Sequence, residues 1–317
     1  MSLTTPVAFL IFNRPHLTER VFQAIAGVRP KRLLVVADGP RFLEEKEKCM
    51  QAREIVLSGL NWDCEVITNF SETNLGCKGR ISTGLDWVFS QVPEAIILED
   101  DCLPAPSFFH FCQTLLDRYR DDERIMMISG DNFQKNVPTD TASYYFSKYV
   151  HIWGWASWRR AWKHYDVEMK NWPEYKASGN LRSLCPDPDE QRYWTKLFDM
   201  TFEGKIDTWG YRWCFTIFRR KGLCILPKSN LVSNIGFGAG ATHLTGHDER
   251  AALPTQDIWE IKHQPFVTRD EELDRNFFEH SLRGRARTQR NKTIIRLRQR
   301  FSSIWNRLAH SLSFQGW

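Results

Sequence analysis

The stretch AIILEDDCLPAPSFF, residues 95–109, sets the reading of this 317-residue chain. Its first four residues, Ala95, Ile96, Ile97 and Leu98, have the length and branching of a strand buried on both faces. The run ends in Glu99, Asp100 and Asp101. Three adjacent carboxylates at such a tip repel one another unless a cation or several donors meet them. The plainer alternative is a solvated acidic turn. Leu103-Pro104-Ala105-Pro106 then breaks the chain, and Ser107 is placed to cap a helix over 108–120. Ligands of open α/β sheets sit at the carboxyl ends of the strands. The stretch therefore reads as a strand tip carrying acidic groups into a cleft.

The chain on either side repeats the pattern. Residues 6–12 and 32–37 are apolar runs that end in Asn13-Arg14-Pro15 and Asp38-Gly39-Pro40, with a helix expected over 17–25. Strand, helix and strand in this order make a parallel βαβ unit. A helix over 44–57 and a strand over 64–68 follow. Asn74-Leu75-Gly76-Cys77-Lys78-Gly79-Arg80 then leads into a helix expected over 81–92. A helix N-terminus flanked by Lys78 and Arg80 suits a phosphate. No G-x-G-x-x-G follows the first strand, which weakens a dinucleotide-oxidoreductase reading. Further strands are expected over 125–129 and 223–226.

Between those strands, Trp153, Trp155 and Trp158 crowd around Gly154. Such rings either stack on the C–H faces of sugars or fill the core at a strand–helix junction. Asp207 precedes Trp209 and an aromatic helical segment. It is either a general base on a cleft wall or the N-cap of that helix. The glycine-dense stretch 233–243 ends in Thr242 and His243, and loops of this kind close over ligands. His243 is a candidate ligand for a metal or a diphosphate.

The composition, 42% hydrophobic and 26% charged with a mean hydropathy of −0.45, is that of a soluble globular chain. No apolar run reaches the roughly 18–20 residues of a membrane span. The N-terminus lacks the basic region of a secretory signal. Eight cysteines without a CxxC read as reduced thiols of a cytoplasmic protein, not as a zinc site. The net charge of +5 hides an asymmetry: residues 281–317 hold nine basic residues and no acidic one, so residues 1–280 carry −4. We divide the chain into a body over 1–270 and a basic tail over 271–317. Within 291–312 the spacing lays Ile294, Ile295, Leu297, Phe301, Ile304, Trp305, Leu308 and Leu312 along one helical face, with Arg296, Arg300 and Arg307 around it. Such a helix suits an anionic bilayer surface; the alternative is packing on the body or on a second copy. The tail lacks interleaved base-stacking aromatics, so nucleic acid is not an expected partner.

Over about residues 5–245 the order of these motifs resembles that of glycosyltransferases of the GT-A fold. The chain looks most like the family of the eukaryotic N-acetylglucosaminyltransferase that starts complex N-glycans and its bacterial relatives. Glu99-Asp100-Asp101, followed by proline and Phe108-Phe109, is similar to that family's acidic metal motif. Ile128-Ser129, Asp131-Asn132 and Trp153-Gly154-Trp155 resemble its acceptor-side segment. Asp207-Thr208-Trp209, Arg219-Arg220-Lys221-Gly222 and the loop ending in Thr242-His243 follow in the family's order.

The resemblance implies an α/β chain with a Rossmann-like, mostly parallel sheet flanked by helices, here followed by a helical basic tail. It also implies transfer of a sugar from a nucleotide-diphosphate sugar, UDP favoured, to a hydroxyl of a glycan or lipid-linked acceptor, with inversion and with Mn²⁺ or Mg²⁺. Arg14 and Asp38 would contact the base, and Glu99 and Asp100 would hold sugar and ribose; by the charge of the leaving diphosphate, Lys78 or Arg80 could assist there. Asp101 would bind the cation, with His243 as a second candidate. Asp207 would be the base, Thr242 would lie near the diphosphate, and Trp153, Trp155 and Trp209 would line the acceptor side. The family has a carboxylate directly before the tryptophan, where this chain has Thr208, so the base falls on Asp207 or a neighbour. The implied location is the cytoplasm, with the tail at the inner membrane face.

Two other classes compete. A nucleotidyltransferase that makes the sugar nucleotide would carry a glycine-rich basic loop after the first strand, which Asn13-Arg14-Pro15 does not supply. The intact acidic triplet counts against a non-catalytic sugar-binding protein.

Overall fold

The computed structural model describes residues 3–134, 137, 142–237 and 252–283. Thr242, His243 and the tail beyond Arg283 lie outside the described residues.

The chain opens with β1 (Val7–Ile11), α1 (Pro15–Val28), β2 (Arg32–Ala37), α2 (Lys46–Ser58), β3 (Glu65–Phe70), α3 (Gly76–Gln91) and β4 (Glu94–Glu99). There follow β5 (Cys102–Pro104), α4 (Pro106–Arg118), β6 (Ile125–Ser129), β7 (Tyr144–Ser147), β8 (Trp155–Trp158) and α5 (Arg159–Trp162). The remaining elements are α6 (Trp172–Ala177), α7 (Asn180–Leu184), α8 (Pro188–Phe202), α9 (Gly210–Arg220), β9 (Leu223–Pro227), β10 (Val232–Asn234) and α10 (Glu271–Phe277).

The expected α/β architecture is present. Eight strands form one sheet in the order β3-β2-β1-β4-β8-β6-β9-β7. Four of its pairings are parallel, β2 with β3, β1 with β2, β1 with β4 and β6 with β9; the three made by β8 and β7 are antiparallel. Alternation along each strand divides the core between two faces. Val7, Phe9 and Ile11 pack with Val21, Phe22 and Ile25 of α1 and with the phenylalanines of α4. Ala8 and Leu10 pack on the opposite side with Ile81, Leu85, Val88 and Phe89 of α3. Helices on both faces explain why β1, β2 and β4 read as unbroken apolar runs.

The strand order fixes where a cleft opens. From β1 the chain steps outward to β2 and β3, then returns through α3 to place β4 on the other side of β1. Connections leave in opposite directions from the carboxyl ends of β1 and β4, and a crevice forms between them. A two-stranded ribbon pairs β5 with β10, with Asn234 opposite Cys102. It brings the chain after β10 back over the tip of β4. A helical lobe of α6 to α9 closes around Trp172, Trp194, Phe198, Phe215 and Phe218, and Phe277, Phe278 and Leu282 join that cluster. The first residues of the segment read as tail, 271–283, therefore pack on the body.

Ser107 does not cap α4. The helix starts at Pro106 with Ala105 as its cap, as proline at the first helical position allows. The Ser107 amide donates to Asp257 Oδ1 at 3.0 Å, and its hydroxyl accepts from the Ile258 amide at 2.9 Å. Ser107 thus tethers the 252–270 segment. Among the described residues no helix is long and apolar enough to cross a membrane.

Candidate active site

A cavity of about 410 Å³ opens at the crevice. Of the residues singled out from the sequence, Arg14, Asp38, Arg80, Glu99, Asp100, Asp101, Trp153, Asp207 and Trp209 line it. Ligand clefts usually span about 300–1,000 Å³, so the space suits a small-molecule substrate.

The acidic tip meets one cation. Arg14 follows β1, and its guanidinium forks across two carboxylates: Nη2 bonds Asp100 Oδ1, and Nη1 reaches Asp101 Oδ2 at 2.9 Å. The Phe12 amide also donates to Asp100 Oδ2 at 3.3 Å. Burial opposes the charge of Arg14, but Asp100 and Asp101 outweigh it and raise its pKa. The Glu99 carboxylate makes no hydrogen bond or ion pair among the described residues. Burial pushes its carboxyl up to about 8, with Asp101 and Asp100 adding and Arg14 opposing. Burial likewise raises Asp100 to about 6 against the pull of Arg14. Among the described residues Arg14 is the cation that ion-pairs with this tip.

Asp38 lies at the end of β2 with its carboxylate already engaged. Oδ1 accepts from the amides of Gly39 and Leu75, both at 2.9 Å, and Oδ2 from Asn74 Nδ2 at 3.0 Å. Burial raises its pKa against those bonds. These contacts fix the turn into α3, which begins at Gly76, five residues earlier than the apolar pattern suggests. Asn74 Oδ1 accepts from the Gly76 amide at 3.2 Å. An Asn two residues ahead of the helix was the start signal to notice.

The earlier start corrects the phosphate reading of Lys78 and Arg80. Residues two apart on a helix point about 200° away from each other, so both cannot face one ligand from a shared loop. Arg80 turns inward, donates from Nη2 to Asn69 Oδ1 at 2.6 Å and lines the cavity wall next to Asp38. Lys78 is not a lining residue; its Nζ stands 3.9 Å from Asp207 Oδ1.

Asp207 does not cap α9. The cap position is Trp209, and the Gly210 amide reaches Thr208 Oγ1 at 3.3 Å. The Asp207 carboxylate is left as an exposed group lining the cavity, with Lys78 beside it.

The tryptophans divide. Trp155 is core: 1% exposed, it stacks on Trp209 at 5.5 Å and packs against Trp213 and Trp162. It does not line the cavity, which corrects its acceptor-side placement. Trp209 is 2% exposed, lines the cavity and has a face covered by Trp155. Trp153 is half-buried and does line the cavity. The lining also contains residues not picked out from the sequence, among them Phe12, Arg41, Asn74, Asn234 and Phe237. Arg41, three residues past Asp38, lies over the Phe12 ring at 5.3 Å and was within reach of the strand-tip argument. Phe237 falls in the stretch 233–243 read as closing over a ligand, but nothing local singles out the ring or says that β10 pairs with β5.

No protein-family model and no curated protein matches the chain. Among solved structures, a UDP-glucose pyrophosphorylase complexed with UDP-glucose is similar at 11% identity and a TM-score of 0.26, over 45% of this chain and 62% of that one. TarS 1-349 of S. aureus is similar at 10% identity and a TM-score of 0.40, over 72% of this chain and 59% of that one. The 4-diphosphocytidyl-2C-methyl-D-erythritolsynthase of Anaerococcus prevotii is similar at 8% identity and a TM-score of 0.29, over 55% of this chain and 77% of that one. The chain spans about three-fifths of the length of the first two.

Proposed function

We propose that this cavity transfers a sugar from a nucleotide-diphosphate sugar, with UDP as the favoured nucleotide, to an acceptor hydroxyl. The supporting observation is that one cavity is lined both by the Arg14-bound tip Glu99-Asp100-Asp101 and by the exposed carboxylate of Asp207. A sugar transfer needs two such poles. One handles the anionic leaving group, and the other takes the proton of the attacking hydroxyl.

The donor set at the tip fits a hard divalent cation. Asp101 presents a carboxylate to the cavity, and no group of three metal-ligating side chains converges among the described residues. Such a set suits an ion whose shell is completed by substrate phosphates and water, as Mg²⁺ commonly is and Mn²⁺ can be. When bound, the cation would offset negative charge on the departing diphosphate. Arg14 holds Asp100 and Asp101 in place. Asp207 accepts the proton of the acceptor hydroxyl as its oxygen bonds the anomeric carbon. The bond from that carbon to the diphosphate oxygen breaks on the opposite side, and the product is inverted. Fixing both substrates in one cavity supplies much of the remaining rate.

The acceptor in this reading is a glycan or a lipid-linked sugar, and the basic segment beyond Arg283 supports contact with an anionic cytoplasmic leaflet. Truncation after Arg283 is expected to release the protein from anionic vesicles in co-sedimentation at low salt; full-length protein that stays in the supernatant removes the membrane part. The central test is incubation with UDP-, GDP-, CMP- and dTDP-sugars in the presence of Mn²⁺. UDP release that stops in EDTA is the expected result. Pyrophosphate release from UTP and a sugar 1-phosphate in place of UDP release from a UDP-sugar, or no thermal stabilisation by any of the nucleotides, overturns the reading.

A further inference from the structure

The cavity has two chemically different walls. One is polar, built from Arg14, Asp38, Asn74 and Arg80. The other is aromatic, built from Trp153 and Phe237. The two rings meet at 5.6 Å between centroids with their planes 82° apart, forming a corner. Both are half-buried and keep surface toward the cavity.

The corner is held from behind. The Trp153 amide donates to Asp131 Oδ1 at 3.1 Å, and Phe133 meets the indole edge-on at 4.9 Å. Phe237 is tied to the acidic tip through its own strand. The Ile235 amide donates to the Asp101 carbonyl at 2.8 Å, and the Gly236 amide to Asn234 Oδ1 at 2.9 Å. A Cβ on Gly236 would lie 2.2 Å from Asp101 Oδ2. Only glycine lets the backbone come this close to Asp101, one residue before Phe237.

Two perpendicular aromatic rings beside a row of carboxylates match one chemistry closely: a pyranose ring. Its axial C–H face lies on an aromatic surface while its equatorial hydroxyls reach acceptors at the side. A flat aromatic ligand without N–H or O–H groups would use the faces but not the carboxylates, and a simple polyol the carboxylates but not the faces. We propose that Trp153 and Phe237 form a pyranose-binding corner, with Phe237 as its specificity-determining residue. The proposal rests on the sugar-transfer reading of the same cavity and adds the subsite that selects the ring.

The ring can belong to the acceptor or to the donor, and saturation-transfer NMR with calorimetry separates the two. In the first arm, the protein with UDP and Mg²⁺ is mixed with methyl β-D-glucopyranoside, methyl β-D-galactopyranoside and the corresponding N-acetylglucosaminide, with sorbitol as the open-chain control. Saturation is expected to reach the ring C–H protons of at least one pyranoside and not sorbitol. Phe237→Ala should weaken it about three- to tenfold, the scale of one aromatic contact, and Phe237→Trp should retain it. In the second arm, the ratio of Kd for UDP to that for UDP-glucose is measured in wild type and Phe237→Ala. A change in this ratio without a change in the first arm assigns the corner to the donor sugar. Either result upholds the pyranose corner. It is overturned when no pyranoside receives saturation and the ratio stays constant, or when Phe237→Ala behaves as wild type in both arms. Wild-type protein that binds a pyranoside but no UDP keeps the corner and removes the nucleotide reading instead.

Discussion

The polar and aromatic walls of the cavity were built by different means. Every side chain of the polar wall hangs from the carboxyl end of β1, β2 or β4 or from the start of α3, within a single run of parallel βαβ units. Topology alone puts those tips on one edge. The aromatic wall draws on the turn before β8 and on the chain just after β10, elements far apart in sequence whose strands pair antiparallel. The first wall follows from local pattern; the second follows from long-range pairing.

That difference sets the predictions. Asp101→Ala carries the largest expected effect. Removing the tip carboxylate that the proposal assigns to the cation should abolish turnover of the nucleotide sugar and the Mn²⁺-dependent part of UDP stabilisation in a thermal shift. Arg14 retains Asp100 as a partner in this variant, so the apo protein should stay folded. Full turnover in Asp101→Ala, or in wild type with excess EDTA, would place the cation elsewhere or remove it.

Asp207→Asn tests the opposite pole. Losing a positioned base costs on the order of a hundredfold or more in turnover. UDP stabilisation should survive, because Asp207 faces the acceptor side in this reading. A collapse of UDP binding with unchanged turnover per bound complex would make Asp207 a donor contact, and Lys78 beside it would then regain a phosphate role.

Arg14→Met separates structure from chemistry on the polar wall. The side chain is 19% exposed, and its partners Asp100 and Asp101 are 3% and 16% exposed. Removing one member of a buried ion pair typically costs about 3–5 kcal/mol, because the partner charges remain. The urea midpoint should fall accordingly, and added Mn²⁺ with UDP should restore part of the loss. An unshifted midpoint would mean that the carboxylates find other partners or protonate without penalty.

The same contrast explains what the sequence disclosed. The parallel strands, the two-faced core and the cluster of Arg14, Asp38 and Glu99 to Asp101 were legible because each strand is an apolar run that stops abruptly at charge. The start of α3 was not legible from its apolar face because Asn74 sets it, and on that helix Lys78 and Arg80 do not share one loop. Asp207 was ambiguous because a carboxylate ahead of a helix is both a cap and a base candidate; the cap at Trp209 and the bond from Gly210 to Thr208 remove the cap reading. Trp153 and Trp155 were inseparable in sequence. Their fates depend on one backbone angle at the residue between them.

That residue, Gly154, gives the smallest effect and the sharpest contrast. Its φ is +63°, in the left-handed region, and this reverses the usual strand alternation. Trp155 enters the core on the α3 side, while Trp153 packs toward the α1 side and the cavity. A Cβ at Gly154 would sit 2.7 Å from Val232 Cγ2, on the ribbon that carries Phe237. Gly154→Ala therefore combines backbone strain with a push on the aromatic wall. Gly179 supplies the control: its φ is +70°, but a Cβ there meets nothing within 4 Å. Strain of this kind costs about 1–3 kcal/mol. Both alanine variants should lose stability on that scale in urea titrations, with Gly154→Ala losing more. Only Gly154→Ala should weaken pyranoside saturation transfer, and neither should alter UDP affinity. Equal losses in the two variants would mean that Val232 yields freely and that the wall does not depend on Gly154. A fall in UDP affinity in Gly154→Ala would show that the two walls are coupled.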